Sequence, residues 1–196
     1  LTVPETYAPD GDATLHIAFA HIQYPSAGDD TIPLVLLTGG PGYGAIEGIN
    51  IPVMRSLLEN IQRDVIVVDQ RGTGYSQPRL ACPEIAQVAR ERLIAGTFRL
   101  NNMEFLPEAG VRACRERLIA EGVNLSAFNT TNNAHDLDLL REALGYDQWH
   151  LHGVSYGTIL GLVLMREHGE HIASAVLDSV LAPHINPAPL QPYNAD

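Results

Sequence analysis

Ser155 stands between two glycines in the stretch Trp149-His150-Leu151-His152-Gly153-Val154-Ser155-Tyr156-Gly157-Thr158. The G-x-S-x-G spacing suits nucleophilic attack by a hydroxyl on an acyl carbon, and the reason is mechanical. A serine held in a strained corner between strand and helix presents its hydroxyl outward, and Gly153 and Gly157 leave room for the two elements to approach. The helix N-terminus beyond it offers free N–H groups and the positive end of a dipole to a developing oxyanion. The context fits: Trp149 to Val154 reads as a short strand, and Ile159 to Met165 is an apolar run suited to a buried helix. The competing reading is a serine in an ordinary strand-to-helix turn.

A second stretch has chemical potential. Thr38-Gly39-Gly40-Pro41-Gly42-Tyr43-Gly44 follows the apolar run Ile32 to Leu37, which reads as a strand buried on both faces. Glycines there let a ligand approach bare backbone. One use is an oxyanion hole with an N–H near Gly40. The other is a dinucleotide cradle, because Gly40-x-Gly42-x-x-Ala45 fits that fingerprint and Asp69 ends the next strand where a ribose-binding acid would sit. Pro41 removes one donor from such a cradle, and the dinucleotide reading leaves Ser155 unexplained. Asp69-Gln70-Arg71-Gly72-Thr73-Gly74-Tyr75-Ser76 reads as a structural turn held by local hydrogen bonds. His150-x-His152 and His168-x-x-His171 have metal-like spacings but no third ligand of obvious position, so neither a metal nor any other cofactor is expected. His184 and Asp178 are weaker candidates for the base and the acid.

The elements that must hold these residues alternate. Thr14 to Tyr24 suggests a strand or bent hairpin with Leu15, Ile17 and Phe19 on one side. Pro52 to Ile61 reads as a helix with Val53, Leu57, Leu58 and Ile61 inward, and Val65 to Val68 as a buried strand. Residues 83–125 carry two helical patterns with solvated faces. Asn129 to Asn132 caps a helix with Ala134, Leu137, Leu140 and Leu144 inward, closed by Gly145, and Asp136 and Asp138 read as favourable first-turn acids. Ser174 to Leu177 is another buried strand, ending at Asp178. Alternation of this kind predicts an α/β fold, a mostly parallel sheet with helices on both faces.

Composition narrows the partners. The 196 residues are 45% hydrophobic with a net charge of −11, so one globular domain has a sizeable core and no basic patch for nucleic acid or anionic membrane. No apolar run is long enough to span a bilayer. Cys82 and Cys114 would be thiols in a reducing compartment or a disulfide in an oxidising one.

With these residues in view, the chain resembles the α/β-hydrolase superfamily, and within it the proline iminopeptidase and tripeptidyl aminopeptidase branch of serine peptidases. The resemblance rests on Gly39-Gly40-Pro41-Gly42, Asp69-Gln70-Arg71-Gly72-x-Gly74-x-Ser76, Gly153-Val154-Ser155-Tyr156-Gly157, Asp136-Leu137 to Leu144-Gly145, and Leu177-Asp178. It implies Ser155 as nucleophile, an oxyanion hole from the N–H groups of Gly40 and Tyr156, and a peptide or ester substrate. One departure is Thr38, where the family often has histidine. The resemblance also implies a Cys82–Cys114 disulfide and a secreted or periplasmic home. Members carry the triad acid and histidine on later strands beyond a helical cap. Residues 1–196 are therefore expected to be the N-terminal part of one domain, with 83–125 a helical insertion and the sheet incomplete at its C-terminal edge. A further segment or second chain would complete the site. Remaining alternatives are an esterase, a dinucleotide-dependent oxidoreductase and a non-catalytic domain of the same fold.

Overall fold

The computed structural model describes residues 1–8, 12–28, 31–97 and 107–182. His184 lies outside the described residues. Among the described residues, seven strands form two sheets. β1 (Thr2–Pro4) pairs with β2 (Thr14–His16) in a small antiparallel ribbon. The main sheet uses β3 (Phe19–Ile22), β4 (Leu34–Leu37), β5 (Val65–Val68), β6 (Trp149–Val154) and β7 (Ile172–Asp178), in the order β3-β5-β4-β6-β7. Only β3 runs antiparallel; β4 is parallel to β5 and β6, and β6 to β7.

The two faces follow from strand alternation. Val35, Leu37, Ile66, Val68 and Leu151 pack against α4 (Thr130–Ala143) and α5 (Tyr156–His168) through Ala134, Leu137, Leu140, Leu160 and Leu164. Val65 and Val67 face the other way, onto Met54 of α1 (Ile51–Ile61). α2 (Pro83–Ile94) and α3 (Glu108–Ala120) pack on each other, and a Cys82–Cys114 disulfide with Cα atoms 5.3 Å apart ties the start of α2 to the middle of α3.

Four expectations need correction. Thr14 to Tyr24 is neither one strand nor a hairpin: its two halves join different sheets. The break comes at Ala18, whose N–H donates to Ser76 Oγ at 2.9 Å. In α1, Met54 is buried while Val53 is 65% exposed. Asn50 caps that helix by accepting the Val53 N–H, so its phase turns Val53 outward. β7 is not buried, since Val176 is 61% exposed. Among the described residues only β6 pairs with it, and no helix covers its α1-side face. Asp136 and Asp138 are not first-turn acids. The Asn129 side chain accepts the Asn132 N–H at 2.9 Å, so α4 starts at Thr130 and both carboxylates sit deeper in the helix.

Candidate active site

Strand β6 runs into Ser155, and α5 begins at the next residue. Ser155 sits at φ 54° and ψ −120°, a conformation that costs an L-residue about 1–3 kcal/mol and persists only where its surroundings impose it. Here they do. The Ser155 N–H donates to the Asp178 carbonyl at 3.0 Å, and the Thr158 N–H donates to the Ser155 carbonyl at 2.9 Å. The Thr158 hydroxyl donates to that same carbonyl at 2.6 Å and accepts the Leu181 N–H at 2.9 Å. Sequence reading passes over Thr158, although a hydroxyl three residues beyond a helix cap is a usable signal.

The flanking glycines mark places where backbones touch. A Cβ on Gly157 would lie 2.0 Å from the Leu37 carbonyl oxygen, and one on Gly153 would lie 2.6 Å from the Gly157 oxygen. Any side chain at either place would prise α5 from β4 or β6. The loop after β4 then reaches the serine through Gly39, where a Cβ would be 3.1 Å from Ser155 Cβ and 3.6 Å from Ser155 Oγ. Gly39 is a contact that sequence reading does not single out.

Gly40 follows in the left-handed region at φ 124°, which favours glycine. Among the described residues its N–H makes no backbone hydrogen bond. Tyr156, as the first residue of α5, has no intrahelical acceptor for its own N–H. The Tyr156 side chain turns toward α4, with its hydroxyl 2.9 Å from the Thr130 hydroxyl. Burial raises the Tyr156 pKa against the opposing pull of its Thr130 and Asn133 hydrogen bonds. Next to it lies a cavity of about 350 Å³ whose lining includes Pro41, Gly42, Thr73, Phe128, Thr130 and Tyr156.

Behind the site, Asp69 and Arg71 act as scaffold. Asp69 is fully buried. Its Oδ1 accepts the Ile46 N–H at 2.9 Å and its Oδ2 accepts the Tyr75 N–H at 2.8 Å, which locks the loops after β4 and β5 together. The Arg71 Nε and Nη2 groups donate to Asp136 at 2.8 and 2.6 Å. Its Nη1 donates to the carbonyls of Glu5 and Ala127, both at 2.7 Å. Tyr7 donates to Asp136 Oδ1 at 2.8 Å, and burial together with the Asp136 charge pushes its phenol far above the usual range. The dinucleotide reading fails on this geometry. The glycine loop opens no helix, because α1 starts only at Ile51, and the buried Asp69 carboxylate is out of reach of a ribose.

Comparison with known proteins settles the family. The model of the alpha/beta hydrolase fold family matches residues 32–195. The chain belongs to the α/β-hydrolase fold family. It is similar to serine protease Hip1 of Mycobacterium tuberculosis, 32% identical over 195 residues that make up 95% of this chain and 36% of that protein. The tripeptidyl aminopeptidase of Streptomyces coelicolor is 28% identical over 191 residues, 93% of this chain and 35% of that one. The proline iminopeptidase of Neisseria meningitidis is 26% identical over 156 residues, 79% of this chain and 34% of that one. The chain thus spans about a third of the length of these curated relatives. Among solved structures, a thermophilic esterase from Thermogutta terrifontis aligns with a TM-score of 0.50 at 20% identity, covering 90% of this chain and 44% of that one. A putative epoxide hydrolase from Pseudomonas aeruginosa (its Q244E mutant) aligns at 0.52 and 18%, covering 92% and 44%. At such identities the likeness shows the fold alone.

In this α/β-hydrolase chain no imidazole hydrogen-bonds the Ser155 hydroxyl among the described residues. His150 and His152 instead line a groove on the α1 side of the sheet with Leu34, Leu36 and Val176. His150 Nδ1 lies 2.7 Å from Ser174 Oγ, and burial, with Arg63 nearby, lowers its pKa. Asp178 meets the elbow through its backbone carbonyl, while its carboxylate accepts the Ser179 hydroxyl at 3.1 Å. No helix of the described residues is long and apolar enough to cross a membrane. The arrangement offers a strained serine, a neighbouring glycine loop and a helix N-terminus.

Proposed function

We propose that this chain carries the nucleophile of a serine hydrolase, a peptidase that removes N-terminal residues or short peptides. Ser155 Oγ attacks the substrate carbonyl and gives its proton to a histidine. The N–H groups of Gly40 and Tyr156 stabilise the oxyanion, the amine leaves with that proton, and water hydrolyses the acyl-serine. The observation that carries this reading is the Ser155 backbone at φ 54°, opposed across the corner by Gly39. The peptidase assignment leans on Hip1 and the two aminopeptidases.

The histidine and the triad acid come from polypeptide outside the described residues, a C-terminal segment or a second chain. The bare edge of β7 and its exposed Val176 support this, because an open apolar strand is an aggregation hazard unless covered. Residues 1–196 then form the N-terminal part of one domain, with 83–125 an insertion. The Cys82–Cys114 disulfide supports a secreted or periplasmic location.

A fluorophosphonate probe tests the chemistry on the intact protein, with Ser155→Ala as blank. Labelling confined to Ser155 is the expected result, and labelling at another serine, or none, overturns the proposal. Stoichiometric labelling of the isolated 196-residue chain would defeat the claim that the base lies elsewhere. Turnover of aminoacyl and tripeptidyl nitroanilides well above that of short-chain nitrophenyl esters is expected of a peptidase. The reverse order makes the protein an esterase on the same machinery.

A further inference from the structure

The sequence shows His168-x-x-His171 with no evident third ligand, and the fold supplies one. His168 closes α5, and His171 ends the 3-10 turn Gly169–His171. Both rings face Asp138 of α4: His168 Nδ1 is 3.3 Å from Oδ2 and His171 Nδ1 is 2.7 Å from Oδ1. One donor atom from each of the three residues lies within 4.8 Å of the others. We propose that Asp138, His168 and His171 bind a first-row divalent cation, zinc foremost, which clamps α4 to the C-terminal end of α5.

The donor set has the right chemistry, two imidazoles and a carboxylate, which suits zinc and its neighbours rather than magnesium or calcium. Bonds of about 2.0–2.1 Å in a tetrahedral shell place donor atoms about 3.3 Å apart. His168 Nδ1 stands at that separation from Oδ2, whereas the 2.7 Å between His171 Nδ1 and Oδ1 is a hydrogen-bond distance that the ion has to open. A second layer is in place. His135 Nδ1 lies 2.8 Å from His168 Nε2, the far ring nitrogen whose N–H a metal-bound histidine commonly donates to a partner. With His168 Nε2 donating to His135, the ion takes the place of the proton that otherwise joins His168 Nδ1 to the Asp138 carboxylate. Arg141 Nε fixes Asp138 Oδ1 at 2.9 Å from the carboxylate's own helix.

The side chains of Asp138, His168 and His171 are 16%, 19% and 30% exposed, so an ion can enter from solvent. Thirteen residues of α5 separate the cluster from the serine, about 20 Å at the helical rise. Such an ion would brace the fold and take no part in acyl chemistry.

The test uses the intact protein without a polyhistidine tag, stripped by a chelator and dialysed against zinc chloride, with bound metal measured by mass spectrometry. One equivalent of zinc is expected, displaced by copper and not by magnesium or calcium. His171→Gln should weaken binding at least tenfold, and H168Q/H171Q should abolish it, while H150Q/H152Q and Ser155→Ala leave it unchanged. Zinc should also raise the melting temperature of the wild type and not of His171→Gln, whose ring is the most exposed of the three, so the single variant suffices if the double variant misfolds. No zinc bound at a tenfold excess over micromolar protein, or undiminished zinc in H171Q, reduces the cluster to a hydrogen-bonded one and overturns the proposal.

Discussion

Replacing Gly157 with alanine separates the demand for space from the demand for backbone freedom. Gly157 lies in the first turn of α5 without a positive φ, so alanine by itself favours the helix by up to about 1 kcal/mol. The new methyl, however, would fall 2.0 Å from the Leu37 oxygen and 2.6 Å from the Leu37 carbon. Those are backbone atoms of a central strand, unable to swing aside as a side chain would. Overpacking of that kind costs about 1–3 kcal/mol or more, and the upper end applies where backbone meets backbone. The net destabilisation is then about 2 kcal/mol, a lowering of melting temperature by roughly 4–8 °C for a chain of this size. Gly161 is the control in the same helix. Its Cβ would meet only the ends of side chains, Leu177 Cδ2 at 3.2 Å and Leu37 Cδ1 at 3.5 Å, so Gly161→Ala should stay within about 1 kcal/mol of the wild type. Urea denaturation of both variants, with fluorophosphonate labelling alongside, is the assay. Gly157→Ala should lose both stability and labelling, since α5 moves and carries the Tyr156 N–H with it. Should Gly157→Ala match Gly161→Ala in stability and still label at the wild-type rate, the close approach of α5 to β4 has no role in presenting the serine.

Arg71→Met should cost about 3–5 kcal/mol, because it strands the buried Asp136 carboxylate; R71M/D136L should cost clearly less than the two single changes added together, as read by urea denaturation. Removing the disulfide by Cys82→Ala and Cys114→Ala should cost about 3–4 kcal/mol on the chain-entropy estimate for a separation of 32 residues, seen as a lower melting temperature. At Asp64 burial alone would raise the pKa, but the Tyr24 N–H, His21 and the Tyr146 hydroxyl together lower it. A carboxyl depressed in the folded state stabilises the fold above its ordinary titration range and loses that contribution as pH falls through the lowered value. Asp64→Asn should therefore be less stable than the wild type at pH 6, with the gap closing as the pH falls below about 4; a gap that does not change with pH would contradict this.

What was legible in the sequence is what the chain specifies over a few residues. The corner at Ser155 shows because glycines at fixed offsets, an apolar strand before and an apolar helix after are all local marks. The Asn129 cap and the Gly145 stop are local in the same way, and the structure keeps both. Long-range pairings left no such mark. Arg71 and Asp136 are 65 residues apart, each compatible with a purely local role, and nothing in the spacing says that one folds onto the other. The Met54 and Val53 exchange has a different cause. In α1 the residues Ile51, Val53, Met54, Leu57, Leu58 and Ile61 spread over an arc of about 160°, with Val53 at its edge and Met54 near its middle, so the apolar pattern leaves open which edge turns inward. The choice falls to the cap at Asn50 and to the strand surface that α1 meets.

The candidate site shows both kinds of information joined at one point. Ser155 is open to a local reading, but the site proposed around it also rests on Gly39, more than a hundred positions earlier, lying against its side chain. That contact exists because β4 and β6 are parallel neighbours, with Leu37 level with Gly153. Both strands therefore end at the same edge of the sheet, and the loop after one opens beside the corner after the other. Parallel pairing with β4 and β6 side by side is thus the condition that turns two separate glycine-rich stretches into one site. A register slip of one residue would swap the faces of every side chain in β6 and carry the serine corner away from the loop. The dry contact between Gly157 and the Leu37 carbonyl opposes that slip, so the residue that admits the helix also holds the register on which the chemistry depends.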